Sequence, residues 1–145
     1  MRKIMLAGRS EAGKTSLTQA LRGENITYHK TQYVYFEDSI IDTPGEYAET
    51  PNLGHALALY SYEADVIGLL LSAIEPYSLY PPGVTAIATR ECIGIVTKID
   101  HPQANPKLAE EWLRLAGCEI IFFVSSYTGE GVSDILEYLK SPASK

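Results

Sequence analysis

The chain has 145 residues, 46% hydrophobic and 21% charged, the balance of one soluble globular domain and an argument against disordered or fibrous architectures. Lys and Arg number 12 against 18 Asp and Glu, and the formal charge of −6 leaves a nucleic-acid backbone or an anionic bilayer little to hold. A small anionic ligand remains admissible, because a nest of backbone N–H groups binds phosphate whatever the net charge.

Apolar runs rich in Ile, Val and Leu alternate with segments of helical character, a rhythm that predicts an α/β domain with a largely parallel sheet. The first strand is expected over Lys3 to Ala7, followed by a glycine-rich turn and a helix from Lys14 to Leu21 that stops near Gly23. Tyr33 to Phe36 reads as a strand from its aromatic and β-branched content, and Asp38 turns the chain into Ser39 to Ile41, so that the two form a hairpin. A helix is expected over Leu53 to Glu63, then a central strand over Val66 to Leu71, apolar on both faces. Pro81-Pro82-Gly83 interrupts the segment from Pro76 to Thr89, which predicts a short or broken helix. Cys92 to Val96 is another inner strand. Asn105 and Pro106 offer a cap and a first-turn proline to a helix whose Leu108, Trp112, Leu113 and Leu115 form an apolar side before Gly117 ends it. Ile120 to Val124 is the last strand and Val132 to Leu139 the last helix, with Ile135, Leu136 and Leu139 toward the sheet.

Cys92 and Cys118 lie in apolar surroundings and read as buried free thiols. The longest strongly apolar stretch, Val66 to Ile74, is too short to span a bilayer as a helix, and neither a signal-peptide pattern nor a prenylation cysteine is found. A soluble cytoplasmic protein is the expectation.

Gly8-Arg9-Ser10-Glu11-Ala12-Gly13-Lys14-Thr15 matches G-x-x-x-x-G-K-S/T and falls between a predicted strand and a predicted helix, the context this phosphate loop requires. Gly8 and Gly13 let the backbone wrap closely around phosphate oxygens, and the N–H groups and helix start supply donors. Lys14 is placed to reach the β and γ phosphates, Thr15 to complete the shell of a Mg²⁺ ion, and Ser16 to contact the nucleotide beside it. Downstream, Asp42-Thr43-Pro44-Gly45 follows a predicted strand; its carboxylate suits magnesium and the Gly45 N–H a γ-phosphate oxygen.

Thr97-Lys98-Ile99-Asp100 ends a later strand, at the carboxyl edge where open α/β sheets bind ligands. The Asp100 carboxylate can accept from the N1–H and exocyclic amine of guanine, while the Lys98 stem lies along the base. Adenine lacks that pair of donors, so ATP is penalised. Ser125-Ser126-Tyr127, after the final strand, offers a backbone N–H to the guanine O6, and Gly129 and Gly131 shape the turn into the last helix. His29, His55 and His101 are not spaced as a metal cluster or triad and read as surface or capping residues.

In this order the motifs resemble those of the Ras-like P-loop GTPase superfamily across nearly the whole chain. Met5 to Thr15, Asp42-Thr43-Pro44-Gly45-Glu46-Tyr47 and Gly94 to Asp100 make it look more narrowly like the family of ethanolamine-utilisation protein P and propanediol-utilisation protein V. The resemblance implies a three-layer αβα domain over residues 1–145, with about six mostly parallel strands and one antiparallel hairpin edge. It implies GTP or GDP and Mg²⁺ as ligands, and a link to bacterial metabolic microcompartments. A protein partner, a shell or metabolic protein, is expected at the switch loops, where Tyr28, Tyr33, Tyr35 and Tyr47 are candidate contacts among ten tyrosines.

Several positions depart from that pattern. Thr97 stands where the family usually has Asn, which predicts weaker binding with guanine preference retained. Glu46 stands where Ras-like enzymes commonly orient the attacking water with Gln; it cannot donate to the γ-phosphate and adds charge to an anionic transition state, which predicts slow hydrolysis. Glu11 replaces the Asn of potassium-stimulated relatives, and no arginine finger is evident. The switch threonine is expected at Thr31, with Thr27 the alternative; Thr31 would join Thr15 and Asp42 at the metal and Lys14, Gly45 and Glu46 in turnover. The leading expectation is thus a Mg²⁺-dependent GTP-binding protein with slow hydrolysis. The alternatives are an ATP-dependent acetate or metabolite kinase and a GTP-binding interaction module without useful turnover.

Overall fold

The computed structural model describes residues 4–7, 16–21, 40–42, 64–74, 83, 85 and 91–140. Among the described residues five strands make one sheet: β1 (Ile4–Ala7), β2 (Ile40–Asp42), β3 (Val66–Ser72), β4 (Glu91–Thr97) and β5 (Ile120–Phe123). Residues 16–21 are helical (α1), and two further helices are α2 (Pro106–Ala116) and α3 (Val132–Lys140). The order across the sheet is β2-β1-β3-β4-β5 and every pairing is parallel, so the expected parallel α/β architecture is present. The predicted strand at Tyr33 to Phe36, its hairpin, and the helix at Leu53 to Glu63 lie outside the described residues, as does most of Pro76 to Thr89.

Alternation along the strands divides the core into two layers. Met5, Ala7, Ile67, Leu69, Leu71 and Val96 pack on one face with Ala109, Leu113 and Ala116 of α2. Ile4, Leu6, Val66, Leu70, Ile93 and Ile95 pack on the other with Leu17 and Leu21 of α1 and Val132, Ile135, Leu136 and Leu139 of α3. Period-two strands bury both faces only when helices cover both, and here they do. Gly94 brings α2 close: a Cβ there would stand 2.8 Å from Ile121 Cδ1 and 3.2 Å from Leu113 Cβ.

The apolar side expected for α2 is corrected in part. Leu113 is buried, Trp112 half-buried, but Leu108 lies at the margin and Leu115 is 63% exposed; Ala109 and Ala116 are the other inward residues. At 100° per residue, Leu115 sits about 200° from Leu113 and faces away, whereas positions 109, 113 and 116 share one stripe. The helix ends are as expected: Asn105 Oδ1 accepts from Leu108 N at 3.3 Å, Pro106 opens the first turn, and Gly117 at φ 118° returns its N–H to Arg114 O at 3.1 Å. Arg114 in the last turn donates to Glu110 Oε2 through Nε and Nη2 at 3.0 and 2.8 Å.

Cys118 is buried and Cys92 half-buried, and neither forms a disulfide. Burial pushes the thiols up, Cys92 to about 11 with help from the Glu91 charge and Cys118 to about 12 with help from Cys92.

Candidate functional site

Chain order and sheet order reverse at one place. From β1 the chain goes outward to β2, then returns to β3 on the other side of β1 and proceeds to β4 and β5. Connections leaving the carboxyl ends of β1 and β3 therefore diverge, and the crevice between them is where open parallel sheets bind ligands. The G-x-x-x-x-G-K-S/T run begins directly after Ala7, at this edge; residues 8–15 themselves lie outside the described residues. So do Thr31, Gly45 and Glu46. Asp42 closes β2 and is paired in register with Leu6, one residue before β1 ends, which brings it to the same edge.

A cavity of about 310 Å³ opens farther along that edge, lined by Ser16, Thr97, Lys98, Asp100, His101, Ser126 and Tyr127. It unites the start of described α1 with the loops after β4 and β5, so residues far apart in sequence and predicted to share one ligand share one space. Thr97 is buried, 2% exposed, at the end of β4, where its carbonyl accepts from Ala73 N at 2.8 Å. Lys98 then takes φ 60°, the left-handed region that residues with a Cβ seldom occupy. That bend turns the chain over the carboxyl edge, and His101 N donates back to Lys98 O at 3.1 Å.

The neighbouring loop is built around Ser125, which is fully buried. Its N–H donates to Glu130 O at 2.9 Å, its carbonyl accepts from Gly129 N at 2.7 Å and its hydroxyl from Thr128 N at 3.1 Å. Within the expected Ser125-Ser126-Tyr127 contact, the Ser125 hydroxyl braces the turn, and Ser126 and Tyr127 stand at the cavity wall. Gly131, at φ 81°, closes the turn so tightly that a Cβ would collide with the carbonyl oxygen of Phe123.

His101 is a lining residue that the sequence reading did not place here. Its Nδ1 accepts from Gln103 N at 3.1 Å, which leaves the proton of the neutral ring on Nε2. The local signal was its position directly after Asp100, which any ligand held by that carboxylate must approach.

The wall chemistry suits a flat heterocycle: hydroxyls from Ser16, Thr97 and Ser126, one carboxylate, one ammonium stem and two rings. An ionised Asp100 only accepts hydrogen bonds, so it selects an edge that presents donors. The volume lies at the lower end of the small-molecule range.

Comparison with known proteins agrees with this architecture. The family PduV-EutP, described as ethanolamine utilisation–propanediol utilisation, matches residues 1–141. The propanediol utilization protein PduV of Citrobacter freundii is 44% identical over 147 aligned positions, covering 99% of this chain and 97% of the relative. The probable acetate kinase EutP of Escherichia coli K12 is 34% identical, covering 97% and 91%. Among solved structures, the FeoB G-domain from Methanococcus jannaschii superimposes with a TM-score of 0.63 over 94% of both chains at 17% identity, which establishes the fold as that of a G-domain. On the span and identity of these matches, the chain belongs to the ethanolamine utilisation–propanediol utilisation family, built on a G-domain fold.

Proposed function

We propose that this protein binds GTP and GDP with Mg²⁺, hydrolyses GTP slowly, and serves ethanolamine or propanediol utilisation through a contact that depends on the bound nucleotide. The cavity joining Ser16, Thr97, Lys98, Asp100, Ser126 and Tyr127 carries this reading. Asp100 accepts from the guanine N1–H and exocyclic amine, the Lys98 stem lies along the base, and the loop after β5 offers a backbone N–H to O6.

The run from Gly8 through Arg9, Ser10, Glu11, Ala12 and Gly13 wraps the phosphates, with Lys14 at the β and γ groups. Thr15, Thr31 and Asp42 would hold Mg²⁺, which when bound neutralises phosphate oxygens. Gly45 donates to the γ-phosphate. Glu46 accepts from the attacking water without donating to that phosphate, which keeps turnover slow. The switch tyrosines meet a partner in the cytoplasm, either a microcompartment shell protein or a metabolic enzyme.

The test is calorimetry of nucleotide-free protein with GDP, GTP, ADP and ATP in Mg²⁺, repeated on Asp100→Asn. Guanine nucleotides are expected to bind tighter by about 2 kcal/mol or more, and the preference to collapse in the variant. Equal binding, or a preference for adenine, overturns the reading. The name of the Escherichia coli relative favours a second one, ATP-dependent acetate phosphorylation. Robust acetyl phosphate formation from ATP and acetate, trapped with hydroxylamine, would put it first.

A further inference from the structure

β5 is the last strand of the sheet and pairs with β4 alone. The bond from Val124 N to Val96 O turns residue 124 toward β4, and successive residues of a strand direct their backbone groups to opposite sides. Ile120 and Phe122 therefore face β4, while Glu119, Ile121 and Phe123 turn their N–H and C=O groups to the free edge. Two of these outward carbonyls are engaged. That of Glu119 accepts from Arg114 Nη1 at 3.1 Å, and that of Phe123 abuts Gly131, where a Cβ would collide with it. Ile121 lies between them, and neither of its outward groups is taken by another element among the described residues.

An open edge attracts other strands, and proteins blunt it with lysine, proline or a bulge. β5 has none of these: Ile120-Ile121-Phe122-Phe123 pairs in unbroken register and is uncharged, with Ile120 41% and Phe123 36% exposed.

Two features select the occupant. A residue with both groups open on one side can exchange two N–H···O bonds with its own copy across a two-fold axis, the closed pair of an antiparallel ladder. The engaged carbonyls on either side leave little for a longer foreign strand to hold. The charges agree with self-pairing. α2 runs antiparallel to β5, from Asn105, whose N–H donates to Ala73 O at the carboxyl edge, to Gly117 at the amino edge, and Arg114 reaches from it to β5. Glu110 lies one turn away on the same flank, 2.8 Å from Arg114 Nη2. A two-fold axis at Ile121 sets the two α2 helices antiparallel on one side of the joined sheet, which opposes Arg114 of each copy to Glu110 of the other. At a net charge of −6 two copies otherwise repel, so a flank that matches base to acid in both directions is what association requires.

We infer that β5 is a self-association edge: two copies join antiparallel at Ile121, extending one sheet through both and flanking it with reciprocal Glu110–Arg114 contacts. None of these residues lines the cavity, so the inference does not depend on the ligand bound there.

The strand is short, and the dimer is expected to be weak, with a Kd on the order of 100 µM. Sedimentation velocity from about 5 to about 500 µM brackets that value and is expected to show monomer giving way to dimer. Amide exchange at Ile121, followed by NMR, is expected to slow about threefold over the same range. Ile120→Lys puts a charge on the joined edge and should raise Kd by about tenfold or more. Arg114→Glu, at a side chain 52% exposed, faces acid to acid and should raise it about fivefold to tenfold. Glu110→Arg/Arg114→Glu restores the opposed charges and should recover association, which damage to the fold would not do.

A wild type that stays monomeric at the highest concentration overturns the inference. So does a dimer that Ile120→Lys and Arg114→Glu both leave intact, or in which Ile121 exchange is unchanged. If Ile120→Lys fails to fold, the charge reversal decides: association lost in Arg114→Glu and not recovered in the double variant overturns the reciprocal pairing.

Discussion

Val124 donates its backbone N–H to the carbonyl oxygen of Val96 at 2.8 Å, and the residues that follow, Ser125 and Thr97, open the two loops that meet at the cavity. A second bond, from Ile99 N to Val124 O at 3.4 Å, crosses between the loops themselves. The wall of the cavity is thus assembled by the last rungs of a parallel ladder, and disturbing either strand end disturbs both halves.

Gly131 is the sharpest test of that assembly. At φ 81°, with the Phe123 carbonyl oxygen in the place of a Cβ, Gly131→Ala must shift backbone. The expected cost is about 2 kcal/mol or more by urea denaturation, with weaker GDP binding alongside. Gly83 has a similar φ of 73° but open space around it, so Gly83→Ala should cost only about 1 kcal/mol. The difference isolates the close approach.

Two leucines of one helix should behave oppositely. Leu113→Ala empties a fully buried position against Gly94 and is expected to cost about 2–5 kcal/mol. Leu115→Ala, at a position 63% exposed, should fall within about 0.5 kcal/mol of the wild type in the same denaturation experiment.

Alkaline pH should weaken the fold through the thiols. Cys92 and Cys118 are raised from 9.0 to about 11 and about 12 in the folded state. Below pH 9 the thiols are protonated folded or unfolded, and their stabilising difference is intact; above it the unfolded chain loses protons that the folded one keeps. Stability should therefore fall between about pH 9 and 12, and less steeply in Cys92→Ala/Cys118→Ala. Native-state alkylation at pH 8 should be slow and become rapid in denaturant.

Thr97→Asn tests whether the hydroxyl limits affinity. Asparagine has nearly the same volume and brings both donors and an acceptor to a position 2% exposed at the cavity. GDP binding is expected to tighten by about threefold to tenfold, one additional hydrogen bond's worth, in a calorimetric titration.

The inner strands were legible because Val66 to Leu71 and Cys92 to Val96 are unbroken apolar runs, which only a sheet covered on both faces buries. Their ends were not: the ladder runs on to pair Ser72 with Thr97, two buried polar residues that hydropathy assigns to loops. The inward face of α2 was misjudged because leucine marks apolarity without direction, whereas Ala109 and Ala116 mark the face that must lie close to Gly94. The cavity was legible as motifs in order. The place of His101 was not, since it depends on the reversal at Lys98, and neither was the duty of Ser125, which depends on a turn closed by Gly131.

Lys98 carries the chain through φ 60° at the point where β4 yields to the cavity, a conformation that costs a residue with a Cβ about 1 kcal/mol. Glycine or asparagine would occupy it with less strain but without the long stem. Selection for heat resistance alone would drive this position toward glycine, and selection for ligand capture would drive it back to lysine, so a library screened both ways should split at residue 98.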